Sequence, residues 1–312
     1  MVLPMFGWLR RHLDVMGKIH HPVDAMKNST TASAPPGMWS LLDFFPDNFH
    51  ISVLDVGAAL LENPPYQSLV DAGRARVIGF EPDVVACERL NRTYGSAHKF
   101  LPNFVGDGKP AIFHETNWSP TGSLYEPNTP LLEKFQNLAE VVTPKAQHPV
   151  TTTRLDDIPE IGDVDFIKID VQGSELMIFQ NGLRALAGTL LVQTEVEFLE
   201  LYKNQPMFAD VDCFLRSHGF QFHTFNGFGR RTFKPLIVNG NINAGVRQDI
   251  WSDALYVRDW MQLHRLSEAK LTKYAVLAHD VLRSFDLAHF VLCALDRKTG
   301  GNAAERYLAR LM

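Results

Sequence analysis

The chain has 312 residues, of which 46% are hydrophobic and 21% charged, and carries a formal net charge of -5. That is the balance of a globular protein with one large domain or a domain with appendages, and it argues against a nucleic-acid-binding domain, which is usually basic. Cys87, Cys213 and Cys293 are far apart, which argues against a disulfide framework or zinc site and for a reducing, cytoplasmic setting, and no apolar run reaches the roughly 18 residues of a membrane span.

The opening stretch MVLPMFGWLRRHLDVMGKI mixes apolar and basic residues. Its arginines follow the apolar part, so it predicts a short amphipathic helix rather than a signal peptide. VDAMKNSTTASAPPG (23–37) is rich in Ser, Thr, Ala and Pro and predicts a linker. Residues 1–37 are thus set apart as helix and linker, and MWSLLDFFP begins the body with a short helix. Then comes a repeating rhythm. ISVLDVGA (51–58), RVIGFEPD (76–83) and KFLPNFVGDG (99–108) predict strands, with a helix over 84–94. AIFHET (111–116) extends or pairs with the third strand, and 130–142 mixes helix and strand signals. VTTTRLDDI (150–158) alternates like a strand. VDFIKIDVQG (164–173) predicts a buried strand, 174–186 a helix, TLLVQTEVEFL (189–199) a strand and 207–220 a helix. FHTFNGFGRRTFKP (222–235) predicts a hairpin pair closing the sheet, with a glycine-rich turn near the substrate. ALYVRD (254–259) ends the domain at about residue 260. From 261 to 312, Leu, Ala and Val recur at helical spacing, broken by GGN (300–302): a helical C-terminal appendage.

Apolar strands alternating with helices predict an α/β sheet with parallel pairing, right-handed crossovers and helices on both faces. Ligands of such sheets sit beyond the carboxyl ends of the strands. Acids stand there in order: Asp55 with Gly57 after the first strand, Glu81 after the second, Asp107 after the third, Asp170 after a later one. Each alone could cap a helix; the ordered set points to a nucleoside ligand. Glycine lets the backbone approach a ligand, and the acid after the second strand suits ribose hydroxyls. GAALLENPP lacks the second and third glycines of GxGxxG, which accommodate a pyrophosphate. S-adenosylmethionine has no phosphate and tolerates the looser loop.

VLDVGA, VIGFEPD, TRLDDI and above all VDFIKIDVQGSELMIFQNG resemble the FkbM family of S-adenosylmethionine-dependent methyltransferases. The resemblance covers about 51–222, including LLVQTEVE and FLRSHGF. It implies a Rossmann-like, seven-stranded class I methyltransferase sheet. It also implies methyl transfer, usually to oxygen, with hydroxyls of sugars, glycans or natural products as acceptors. By the same resemblance, Asp55, Gly57 and Ala58 line the methionine end of the cofactor. Glu81 holds the ribose, Pro82 and Asp83 shape the turn beside the adenine, and Gly106 and Asp107 border it. Asp170 meets the methionine amino group or the incoming hydroxyl. Gly173 and Glu175 open the next helix, and Ser123 matches a serine in a loop over the cofactor. Two positions depart: Leu61 stands where the family has a glycine (DVGANxG), and Gln172 where it has Glu (DVEG).

Attack by a hydroxyl benefits from a general base. The candidates are Asp170, Glu195, Glu197 and His223; Glu195 and Glu197 alternate on one strand and so share a side. Lys168 shares a face with Asp170 and pairs with an acid. No metal-binding spacing such as HExxH occurs, and no metal is expected. Asn63-Pro64-Pro65-Tyr66 spells the NPPY of amino-methylating enzymes, where it follows the fourth strand. Here it follows the first, so it reads as a remodelled edge of the cofactor loop whose prolines start the crossover helix late. N-methylation and a non-catalytic binding protein are the alternatives. The C-terminal helices offer a surface for self-association.

Overall fold

The computed structural model describes residues 39–46, 49–58 and 63–311. The N-terminal helix and linker expected over 1–37, and Leu61, lie outside them. Nine strands occur among the described residues. In chain order they are β1 (Ile51–Val56), β2 (Ala75–Phe80), β3 (Lys99–Leu101), β4 (Pro110–Thr116), β5 (Pro144–Thr151), β6 (Phe166–Ile169), β7 (Leu191–Glu197), β8 (Phe220–Arg230) and β9 (Asp249–Arg258).

Seven form one sheet in the order β3-β2-β1-β6-β7-β9-β8. All pairings are parallel except the two made by β9. This is a seven-stranded, mostly parallel sheet, as the sequence led one to expect. Ile51, Val53, Leu54 and Val56 of β1 are all buried, as a central strand covered on both faces requires. One face packs Leu54, Val56, Ile167, Ile169, Val192 and Val196 against Ile178, Phe179, Leu186, Val211 and Leu215 of the crossover helices. The chain leaves β1 towards β2 and β3 on one side and later returns to place β6 on the other. The carboxyl ends of β1 and β6 therefore flank a topological switch point, where such sheets bind ligands.

Several elements differ from expectation for local reasons. The third strand ends at Leu101. β4 and β5 form a separate antiparallel pair, and two short helices, Thr129–Leu132 and Leu138–Val141, lie between them; the expected strand over 150–158 stops at Thr151. The helix expected over 174–186 breaks into Glu175–Gln180 and Leu183–Gly188. Gly182 lies between them, so close to Leu155 that an added Cβ would sit 2.8 Å from its Cδ1. Residues 222–235 make no hairpin. They lie in β8 and the loop beyond it, and the hairpin partner is β9. The glycines of GFG bulge β8 instead of turning it, because Gly229 presses on the Trp251 ring, where a Cβ would be 1.9 Å from Cε2.

After a 3-10 turn, helix Glu268–Val276 runs into a π turn, Leu277–Val281; helices Phe285–Thr299 and Ala303–Leu311 follow. The first is tied to the amino end of the sheet. Asp165, wholly buried, accepts from Lys270 Nζ and Lys273 Nζ, each at 2.7 Å, and from the Ser52 N–H at 2.9 Å. Among the described residues no helix is long and apolar enough to cross a membrane.

Candidate functional site

At the carboxyl end of β1 the chain turns through Gly57 at φ +83°. A Cβ there would lie 2.0 Å from the Asp170 carbonyl oxygen, so no side chain fits. Asp55 is buried. Its Oδ2 accepts from the Tyr66 hydroxyl at 2.5 Å, while Oδ1 has no hydrogen-bond donor. Lys168, its register partner on β6, places Nζ 3.6 Å from that oxygen and donates to the Gly57 carbonyl at 3.4 Å. Burial alone would lower the Lys168 ammonium's pKa. Asp55 and Asp170 outweigh burial and hold it above the ordinary lysine value. Tyr66 is the tyrosine of NPPY. Its prolines do delay the crossover helix, which begins at Gln67. Its hydroxyl is one that sequence reasoning did not place at the site: a buried hydrogen bond between residues eleven apart has no periodicity to reveal it.

The other cofactor-facing candidates fall along β2 and β3. Ala58 donates its N–H to the Phe80 carbonyl at 2.9 Å, which pins the loop after β1 to β2. Glu81 is half-buried. Its Oε1 accepts the Asp83 N–H at 2.8 Å, and no donor among the described residues meets Oε2. Burial raises its pKa. Pro82 is half-buried in the same turn. Asp83 caps helix Val84–Tyr94 by accepting from Ala86 N at 2.7 Å, so its carboxylate is occupied. Gly106 packs on Thr152, where a Cβ would meet the side chain at 2.8 Å. Asp107 is bonded to Lys109, through the backbone N–H at 3.1 Å and Nζ at 2.9 Å. The Lys109 hydrogen bond holds its carboxyl below the usual range.

Beyond β6 and β7 four acids converge. Asp170 and Glu195 are half-buried; Glu175 and Glu197 are each 2% exposed. Gln172 Nε2 donates to Asp170 Oδ1 at 2.9 Å and to Glu195 Oε2 at 2.6 Å. The Tyr202 hydroxyl stands 3.0 Å from Gln172 Oε1 and 2.9 Å from the Thr121 carbonyl. Glu175 Oε1 accepts the Val171 N–H at 2.9 Å. Burial pushes the Glu175 carboxyl up to about 7. Burial, then Asp170 and Glu197, raise Glu195 well above the usual carboxylate range; burial, then Glu175 and Asp170, do the same to Glu197. Ser123 is buried under this loop. Its hydroxyl donates to the Gln172 carbonyl at 2.6 Å and accepts the Tyr125 N–H at 2.9 Å. Gly173 continues the turn at φ +101°.

His223 stands apart. It sits at a bulge on β8, the far edge of the sheet, with β9 and β7 between it and β6. β9 links the level of Phe222 and Thr224 to Val192 and Gln193, the first half of β7, whereas Glu195 and Glu197 lie towards its end. The charged group acting on His223 is Asp286, in the C-terminal helices. Among the described residues no group of three or more His, Cys, Asp or Glu is arranged to hold a metal ion.

The geometry suits a nucleoside carrying a cationic amino acid. Asp55 Oδ1 is a buried acceptor without a donor, Gly57 leaves the backbone bare, and Glu81 Oε2 is unengaged beyond the end of β2. The chain also matches the family model described as the methyltransferase FkbM domain, over residues 55–222, more than half its length. No curated protein matches it. Among solved structures it is similar to magnesium protoporphyrin IX methyltransferase from Synechocystis PCC 6803 with bound S-adenosylmethionine (12% identity, 67% of this chain and 71% of that one, TM-score 0.34). It is similar to a candidate tRNA (m1A22) methyltransferase of Streptococcus pneumoniae (12% identity, 86% and 96%, TM-score 0.35). It is also similar to a candidate methyltransferase of Thermoplasma acidophilum (9% identity, 67% and 69%, TM-score 0.33). On the family match, the chain belongs to the FkbM family of S-adenosylmethionine-dependent methyltransferases.

Proposed function

We propose that the protein transfers a methyl group to a hydroxyl of a sugar, glycan or natural-product-type small molecule. When bound, S-adenosylmethionine supplies a methyl group on a positively charged sulfur. Asp55, with Gly57 and Ala58, lines the methionine end, Glu81 takes the ribose hydroxyls, and Gly106 and Asp107 border the adenine. Ser123 acts from beneath by fixing the Gln172 carbonyl, and Pro82 and Asp83 shape the turn after β2.

The observation that carries the reading is the pair Asp170 and Glu195. Of the four converging acids they alone are half-buried; Glu175 and Glu197 are shut in. Asp170 begins beside Gly57, so it faces the methionine amino group. Glu195, one strand further out, faces the acceptor; its raised pKa makes its ionised form the stronger base, and that form takes the hydroxyl proton as the oxygen–methyl bond forms and the sulfur–methyl bond breaks. Alignment and a positioned base are what such a displacement needs from a protein. The same acids would also hold a protonated amine, so amino groups are the second acceptor class.

Two measurements test this. Thermal shift with S-adenosylmethionine against NAD should show stabilisation by the first alone. Incubation with methyl-labelled cofactor and panels of sugars, glycans, polyketides and amines, read by mass spectrometry, should place label on oxygen. Label on nitrogen alone would overturn the hydroxyl reading.

A further inference from the structure

We infer that Gln172 is a positioning residue: its amide bridges Asp170 and Glu195 and holds the two acids at fixed spacing, with Tyr202 setting the amide's orientation. The inference rests on the site reading above and deepens it.

Every polar group of Gln172 near the site is engaged. Both acids accept from the amide nitrogen, at 2.9 and 2.6 Å. An amide has two N–H donors, so the two acids use both. The carbonyl end meets the Tyr202 hydroxyl at 3.0 Å. A flipped amide would turn its oxygen on two carboxylates, so the orientation follows from the network. The main-chain carbonyl accepts the Ser123 hydroxyl at 2.6 Å. Tyr202 is itself fixed, 1% exposed within a small core of Leu132, Phe135, Leu138 and Ile250.

The backbone gives an independent observation. Gln172 has φ +58°, in the left-handed region that residues with a Cβ seldom hold. Such conformations persist where the surroundings over-determine them, and they gather at functional sites. Here Gly173, also at positive φ, completes the turn that sends the Gln172 side chain back between the ends of β6 and β7.

The bridge matters because like charges at this spacing otherwise share a proton. An amide supplies a donor to each acid without adding charge. The distance between the acid that faces the cofactor's amino end and the acid that faces the acceptor is thereby fixed. A third carboxyl in its place would carry at most one donor hydrogen and would add a titrating group to the pair.

The test uses full-length wild type, Gln172→Met, Gln172→Glu and Tyr202→Phe. Titration calorimetry with S-adenosylmethionine is run at pH 6, 7 and 8 in buffers of different ionisation heat. Loss of charge-assisted hydrogen bonds of this kind is worth about tenfold. Gln172→Met should therefore weaken binding about tenfold at pH 7, with partial recovery at pH 8. Gln172→Glu should release up to one more proton on binding than wild type does. Tyr202→Phe should show the Met defect in milder form. Without cofactor, the melting-temperature deficit of Gln172→Met should widen from pH 5 to pH 8, as the unbridged acids ionise. Wild-type affinity in both Gln172 variants, or a deficit equal at every pH, would overturn the inference. If wild type fails to bind S-adenosylmethionine at saturation, the cofactor reading fails instead. The cofactor-free melting series still decides whether the bridge exists.

Discussion

Glu81 and Glu197 are both carboxylates at strand ends, yet their surroundings separate them. Glu81 is half-buried with Oε2 unengaged at the end of β2; Glu197 is 2% exposed. Glu81→Ala should therefore weaken S-adenosylmethionine binding by about tenfold or more, the loss of hydrogen bonds to a charged group. Glu197→Ala should change the dissociation constant far less. Comparable constants from calorimetry would count against the order of acids along the sheet. Tyr66→Phe removes the donor on Asp55 Oδ2 and leaves that carboxylate with Lys168 alone. The loss should destabilise the fold by about 1–3 kcal/mol in urea titration. The two residues also show what sequence can and cannot carry. Glu81 was legible because an acid closing an apolar strand is a local pattern. Tyr66 was not, because NPPY has a familiar spelling in another place, and its role here rests on a hydrogen bond to Asp55, eleven residues back.

Among the elements, β7 and the turn after β6 carry the unusual energetics. Glu175 opens helix Glu175–Gln180 from inside the protein, and burial pushes its carboxyl up to about 7. Its folded pKa lies above its unfolded value of about 4.3. The stability it contributes is fully present below the unfolded pKa. It is lost as pH rises through that window towards 7, since the unfolded chain ionises first. Glu175→Gln keeps an oxygen for the Val171 N–H but cannot ionise. Relative to wild type it should gain on the order of 2–3 kcal/mol between pH 5 and pH 8. Urea denaturation at the two pH values measures this, and a pH-independent difference would contradict it. The alternation in TEVEF correctly placed Glu195 and Glu197 on one side. It could not show that one reaches the open site and the other is sealed, because burial depends on what packs above the strand. The glycines of GFG likewise suggested a turn; only the Trp251 ring beneath Gly229 explains a bulge.

At the scale of the molecule, the two ends of the sheet treat acids in opposite ways. At the carboxyl end, Lys168 acts with Asp170 and Glu195 but not with Glu175 or Glu197, and burial pushes Glu175, Glu195 and Glu197 towards the neutral form. At the amino end, Asp165 is wholly buried but meets two ammonium groups and a backbone N–H. Helical spacing made the C-terminal segment legible, but nothing in that spacing ties Lys270 and Lys273 to Asp165. Their target lies about a hundred residues away in sequence, so only the fold brings them together. Asp165 should therefore matter for stability and not for ligand binding. Asp165→Ala takes its carboxylate from Lys273, while Lys270 keeps Asp163 at 2.9 Å and the Gly188 carbonyl at 2.8 Å, and should cost about 3 kcal/mol, the low end for breaking a buried pair from one side. In the triple variant Asp165→Ala, Lys270→Met, Lys273→Met, the lysine charges are gone as well, and the loss should be smaller than the sum of the separate losses. S-adenosylmethionine affinity of the folded fraction should match wild type in each variant. Additive losses would show that the lysines only decorate the helix; a weakened cofactor site would show that the two ends of the sheet are coupled.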